Sequence, residues 1–294
     1  MNAATRARIL AAAEAQGYSA NPAARSLRKG STNIVGFLFA PPEANSPLAD
    51  VFFMDVVQGV QGALCDESLE LVVLPCPTDD SPEAYVRRLV SRRFFDALIV
   101  MGGRDTLNAE LVRSGVPVVG LAGSGGLSAL VDFDHQATFA DAITRLVNLG
   151  HTRVAAAPAC PGRPVNAARV QHWLTPSTTE AEGRALGVEL LSLDPLPTAL
   201  IVENDAVAAG IYAALRTSGR EPGRDLAVIS CRSTARGRNL QPTPASYTYD
   251  PALIGAALAR TVLGLLSGQP ADGSVALAVG GVFVEGSSAG RPPV

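Results

Sequence analysis

The sequence has little that would mark a metal site, a disulfide scaffold or a membrane span. Among 294 residues there are four cysteines and three histidines. Cys65, Cys76, Cys160 and Cys231 are widely spaced with no C-x-x-C pair, and His135, His151 and His172 are scattered likewise. Neither a disulfide framework nor a metal site is indicated, and no cofactor motif accompanies them. No apolar run approaches the roughly 18 residues that a membrane span requires, and charges stand where a signal peptide would carry its apolar segment. The expectation is a soluble cytoplasmic chain with no membrane partner. Disorder is excluded by 47% hydrophobic residues, and the length allows about two domains of ordinary size.

Net charge is also small, at −3, but it is unevenly placed. Residues 1–30 hold Arg6, Arg8, Arg25, Arg28 and Lys29 against the single acid Glu14, a net of +4, so the rest carries −7. A basic arm precedes an acidic body. The arm is either a solvated terminal helix or a segment that meets a polyanion.

From about residue 33 onward, short apolar runs rich in β-branched residues alternate with longer amphipathic segments, the pattern of repeated βαβ units. Strands are predicted at 34–39, 69–74, 97–101, 116–121 and 129–133, with helices near 53–66, 82–93, 106–114 and 136–149. A second series has strands at 153–157, 199–202 and 226–229, with helices near 164–174, 179–189, 204–218 and 251–267. Two doubly wound parallel sheets make two α/β lobes, and ligands of such sheets bind outside the carboxyl ends of the strands. The first 30 residues read differently. A helix over 2–16 is stopped by Gly17, and Asn21-Pro22 caps and restarts a helix of about two turns over 22–29. A helix so short forms only when something packs on it.

Catalytic motifs fail on context. Gly286-Ser287-Ser288-Ala289-Gly290 satisfies G-x-S-x-G, yet no helix can follow it before Pro292-Pro293, and a frayed tail is expected there. Gly123-Ser124-Gly125-Gly126 has Ser128 where the third glycine of a dinucleotide loop would fall, and reads as a turn between strands. Asn204-Asp205 stands where a strand meets the cleft and opens a helix, which makes it a helix cap or a ligand contact. Arg169 and Trp173, four apart, would share a helical face and could grip a polar ligand. Phe52-Phe53, before a helix, is core or site.

These residues resemble, over nearly the whole length, the lactose/galactose-repressor family of bacterial transcriptional regulators. The segment from Asn21 through Pro22, Ala23, Ala24, Arg25, Ser26, Leu27, Arg28 and Lys29 to Gly30 looks like that family's hinge helix. Ala4 to Leu10 and on to Gly17-Tyr18 looks like the last helix of its DNA-binding headpiece. Further matches are Leu149-Gly150-His151-Thr152-Arg153, the run from Thr198 to Asn204-Asp205, and Phe94 to Ile99. The resemblance implies a partial helical headpiece and hinge over 1–30, and a periplasmic-binding-protein-like core of type I. One lobe would comprise 33–133 with 251–278, the other 134–250 with 279–294. It implies a homodimer on double-stranded operator DNA, with no catalytic residues and a small-molecule effector, a sugar or other small polar ligand. Asn21, Ala24, Arg25, Leu27 and Arg28 would meet DNA, with Leu27 wedging a base step in the minor groove and the arginines near phosphates. Phe52, Phe53, Arg169, Trp173, Asn204, Asp205 and Arg232 match effector-contact positions.

Departures from the pattern sharpen the expectations. The family's first two headpiece helices have no counterpart, so Met1 is either a start assigned inside a longer reading frame or a true truncation. Ser230-Cys231-Arg232-Ser233 stands where the family has Gly-Tyr/Phe-Asp-Asp, and Ala122 replaces a frequent Asp. Loss of two acceptors and gain of a cation favour an anionic ligand, or none. The stretch from Trp173 to Thr198 is about 20 residues short, which implies that a helix and an edge strand of the second lobe are missing. The expected function is a ligand-responsive repressor; the alternative is a small-molecule-binding protein of the same core that has lost DNA binding.

Overall fold

The fold is that of a computed structural model, which describes residues 5, 8, 11, 12, 15, 31–39, 47–75, 81–91, 94–101, 105–121, 127–157, 167–233, 237–270 and 275–293. Thr5, Arg8, Ala11, Ala12 and Ala15 are helical and exposed, in keeping with the helix expected over 2–16. The predicted hinge helix, with Asn21, Ala24, Arg25, Leu27 and Arg28, lies outside the described residues.

The first lobe alternates strand and helix: β1 (Ile34–Phe39), α1 (Pro47–Cys65), β2 (Glu70–Pro75), α2 (Pro82–Val90), β3 (Ala97–Met101), α3 (Asp105–Arg113), β4 (Val118–Leu121) and β5 (Ala129–Phe133). The chain then builds the second with α4 (His135–Asn148), β6 (Val154–Ala157), β7 (Val170–Trp173), α5 (Glu180–Leu191), β8 (Ala199–Val202), α6 (Asp205–Thr217), β9 (Ala227–Ser230) and β10 (Ala245–Thr248). It returns to the first lobe with α7 (Pro251–Leu266) and β11 (Val275–Val279), and ends in the second with β12 (Val282–Val284).

The strand orders are β11-β5-β4-β3-β1-β2 and β12-β10-β9-β8-β6-β7, the same winding used twice. Every pairing is parallel except β10 with β12. Parallel sheets are covered on both faces, which is why β4, β6, β8 and β9 are short, wholly buried apolar runs. One buried cluster joins the lobes, running from Phe37, Phe53 and Val60 through Phe133 and Phe139 to Ile201, Ile229 and Tyr249. Two smaller clusters fill the outer face of each sheet.

Close helix crossings depend on glycine. A Cβ on Gly255 of α7 would sit 2.4 Å from the Val56 carbonyl of α1, and one on Gly210 of α6 would sit 2.2 Å from the Glu180 carbonyl of α5. Both helix pairs meet backbone to backbone.

Three expectations need correction. The helix predicted near 164–174 is a single 3-10 turn, Ala167–Arg169, running into β7. The edge strand expected to be missing is therefore present, and what the second lobe lacks among the described residues is the helix between β6 and β7. The C-terminal tail is not frayed either. Ser288 is fully buried, donating to the Val228 carbonyl at 2.5 Å and accepting from the Ala245 amide at 2.9 Å. His151 completes the attachment, with Nε2 donating to the Gly290 carbonyl and Nδ1 accepting from the Thr198 hydroxyl, each at 2.9 Å.

Two outcomes follow from this packing. Gly210→Ala should lower the unfolding free energy by about 1–3 kcal/mol in urea titrations. Gly62→Ala, whose methyl would meet nothing within 4 Å on an exposed helical turn, should instead raise it by about 0.5–1 kcal/mol. Burial pushes the His151 imidazole below its ordinary 6.5, the bond to Gly290 opposing this only in part. The unfolded chain then takes up a proton that the folded chain refuses, so stability is intact above about pH 6.5 and falls as pH drops toward the lower folded value. Melting temperatures across that range should show the fall, and His151→Gln should reduce it.

Candidate functional site

The chain passes from sheet to sheet at the carboxyl end of β5, where Phe133 leads into α4, and at the carboxyl end of β10, where Tyr249-Asp250 leads into α7. The carboxyl ends of the two sheets consequently face one another, and β11 to β12 makes a third passage. The passages are bonded together. The Asp134 amide donates to the Val279 carbonyl at 2.9 Å, and the Thr138 and Tyr249 hydroxyls are 2.9 Å apart. Phe133 packs edge-on against Tyr249 with centroids 4.7 Å apart. Strand order reverses between β1 and β3 and again between β6 and β8, which places the crevice for a ligand beside these strands.

On the first-lobe wall, Phe53 is buried in α1. It stacks on Phe39 at the end of β1, with centroids 4.0 Å apart, and meets Phe37 edge-on at 5.5 Å. Its ring is committed to the core between helix and sheet. Phe52 is half-buried and packs on the same cluster. The turns that follow β1, β2, β3, β4 and β6, including Ala122 and residues 123–126, and residues 234–236 beyond β9 lie outside the described residues.

On the second-lobe wall, Asn204 is a helix cap. Its side-chain carbonyl accepts from the Ala206 and Val207 amides at 2.9 and 3.1 Å, while its Nδ2 donates to the Thr178 carbonyl at 2.9 Å. Asp205 is fully buried, and its carboxylate presses so closely on Gly237 that a Cβ there would lie 2.2 Å from Oδ2. Burial, with the charge of Asp205 added, pushes the Tyr212 phenol up to about 12. Both residues are thereby tied to holding α6 on its sheet.

Arg169 and Trp173 do not share a helical face. Arg169 is exposed at the end of the 3-10 turn, whereas Trp173 is half-buried at the end of β7, its ring 6.0 Å from Phe139 of α4 at an interplanar angle of 16°. Arg232 is half-buried just beyond β9, and its carbonyl accepts from the Ser230 hydroxyl at 3.0 Å.

The structure adds residues that sequence reasoning did not select. Burial pushes the Tyr249 phenol up to about 12; the hydrogen bond from Thr138 opposes this, Cys231 and Glu203 reinforce it, and Arg232 opposes it. Glu203, Cys231, Arg232 and Tyr249 follow the adjacent parallel strands β8, β9 and β10, and Thr138 bonds Tyr249, so the five gather at the carboxyl end of the second sheet beside the passages between lobes. Glu203 is itself buried. Its signal in the sequence is its place between an apolar strand and the capping Asn204, and for Tyr249 it is the following Asp250-Pro251 helix start. The set offers hydrogen-bond donors and acceptors and one cation. Among the described residues no three metal-ligating side chains come together, and no helix is long and apolar enough to cross a membrane.

Residues 149–289 match a family model described as a periplasmic binding protein-like domain. The chain is 31% identical over 241 residues to the HTH-type transcriptional regulator RafR of Escherichia coli, spanning 76% of this chain and 71% of that protein. In fold it is similar to a transcriptional regulator CelR–cellobiose complex, with a TM-score of 0.72 at 21% identity over 98% of this chain and 91% of that one. It is also similar to a lac repressor dimer bound to operator and the anti-inducer ONPF, with a TM-score of 0.70 at 20% identity, over 93% and 99% of the two chains.

The capping geometry makes Asn204 a stability residue even without ligand. Asn204→Ala should cost about 1–2 kcal/mol in urea unfolding of the ligand-free protein, and Asn204→Asp, which keeps the cap acceptor and loses the donor to Thr178, should cost less.

Proposed function

Because the chain belongs to the lactose-repressor (LacI) family of transcriptional regulators, we propose that it is a DNA-binding repressor whose operator affinity is set by a small-molecule effector held between the two lobes. It is a regulator and not an enzyme, as its relatives are. Its working form on this reading is a homodimer in the cytoplasm that engages double-stranded operator DNA through paired hinge segments.

The observation that carries the reading is the segment 21–30. An apolar Leu27 set among Arg25, Arg28 and Lys29, one residue ahead of a linker held by the core, suits insertion into a minor groove flanked by phosphates. A binding protein without a DNA role has no use for such a segment. The short helix orders on DNA, and an effector that favours one lobe arrangement over another shifts the DNA affinity by its differential binding to the two states.

For the effector, the residues expected from the sequence are Phe52, Phe53, Arg169, Trp173, Asn204, Asp205 and Arg232. Phe53, Asn204 and Asp205 shape the walls through the packing described above, and Arg169 precedes β7 at the amino end of its sheet, away from the crevice, leaving Phe52, Trp173 and Arg232 to touch the ligand. Arg232, in a place where relatives with an acid would accept from sugar hydroxyls, favours a small polar ligand that carries negative charge.

Full-length gene product should bind the promoter of its own gene more tightly than random duplex. That affinity should fall about a hundredfold between about 50 and about 200 mM salt, as expected when several phosphate contacts displace counterions. Leu27→Ala should weaken promoter binding about tenfold while leaving the protein's melting temperature unchanged. Equal affinity for promoter and random DNA contradicts the proposal.

A further inference from the structure

Three consecutive residues of the linker, Ser31, Thr32 and Asn33, wrap around one carboxylate of the core. Asp96 Oδ1 accepts from the Thr32 amide at 2.8 Å and the Thr32 hydroxyl at 3.0 Å. Its Oδ2 accepts from the Ser31 hydroxyl and the Asn33 amide, each at 2.7 Å. Asn33 adopts the left-handed conformation at φ 59°, which turns successive amides toward the same anion. The strands then continue the attachment, since the Glu70 amide donates to the Asn33 carbonyl and the Asp96 amide to the Ile34 carbonyl, both at 2.9 Å. Burial pushes the Asp96 carboxyl up, but the bonds from Thr32, Ser31 and Asn33 outweigh it and hold the group below its ordinary value, ionised at neutral pH.

Among the described residues, the side-chain partners of Asp96 lie in the linker, at residues 31–33. Only Gly30 separates Ser31 from Lys29, the end of the predicted hinge helix. A carboxylate that spends its whole bonding capacity on a linker contributes little to its own sheet and much to where the linker leaves it.

We propose that Asp96 is a positioning residue for DNA binding, the post by which the core fixes where and in which direction the hinge segment departs. The inference rests on the regulator reading. In a dimer the two posts set the separation of the two hinge segments, so the second segment reaches DNA at high effective concentration once the first is bound. Without the post each segment is free to wander and that advantage is lost.

Full-length protein with Asp96→Ala and with Asp96→Asn is compared with the unsubstituted protein by anisotropy on a promoter duplex, by thermal melting and by trypsin cleavage at Arg28 and Lys29. Asparagine retains one acceptor oxygen and turns an NH2 group toward two donors, so it fails as alanine does. Expected are about tenfold weaker promoter binding and faster cleavage for both variants, with the main melting transition unmoved. Asp96→Glu, which keeps both acceptor oxygens, should recover part of the affinity. Promoter affinity equal to that of the unsubstituted protein in either variant overturns the inference, as does a loss of affinity matched by a lowered melting temperature. Absence of promoter binding by the unsubstituted protein instead overturns the regulator reading itself.

Discussion

The three passages of backbone between the sheets are the constraint on which the rest of the molecule depends. They lie side by side, joined by the Asp134 amide to Val279 and by Thr138 to Tyr249, with Phe133 packed on Tyr249. Gly281 has no room for a side chain, since a Cβ there would come within 3.1 Å of the Tyr249 ring and 3.2 Å of Tyr247. The lobes therefore cannot separate, because one buried cluster runs through both. On the proposed function, a ligand between the carboxyl ends of the strands acts by binding one lobe arrangement better than another.

The same strands that end at the cleft begin at the DNA side. β1 has Phe39 against Phe53 at its carboxyl end and Asn33, wrapped on Asp96, at its amino end. Six residues of extended strand span about 20 Å, so a rigid, fully paired element connects ligand wall and linker post. β3 runs beside it, beginning immediately after Asp96. The division of charge in the chain suits this layout: the basic arm lies beyond the post, and the excess of acid is carried by the body. Family membership and the local geometry thus converge on a body that senses and an arm that binds.

Much of this was legible in the sequence because parallel sheets write themselves as short apolar runs, and β1, β3, β5 and β8 fall where those runs predict them. The failure at 164–174 has a physical cause. The β6–β7 register shifts between Val154 and Ala155, and Gln171 turns its side-chain carbonyl onto the Val154 amide at 2.7 Å. Val170 and Trp173 then share a face three residues apart, a spacing that imitates a helix. β10 and β12 escaped because their partners are distant in sequence and their runs are only four and three residues long. Ser288, misread as part of a loose tail, carries no local signal of the Val228 and Ala245 backbone groups it bridges. Of the candidate site, the cap at Asn204 was readable from its place after a strand, whereas the gathering of Glu203, Arg232 and Tyr249 needed the fold to bring three strand ends together.

On the proposed function, the segment beyond the Asp96 post is a helix that forms on its own operator. Amide hydrogen exchange on full-length protein measures this residue by residue. Residues 22–29 should exchange markedly more slowly with the promoter duplex than with random duplex or no DNA, while amides of β1 remain unchanged. Exchange over 22–29 that is the same under all three conditions would contradict it.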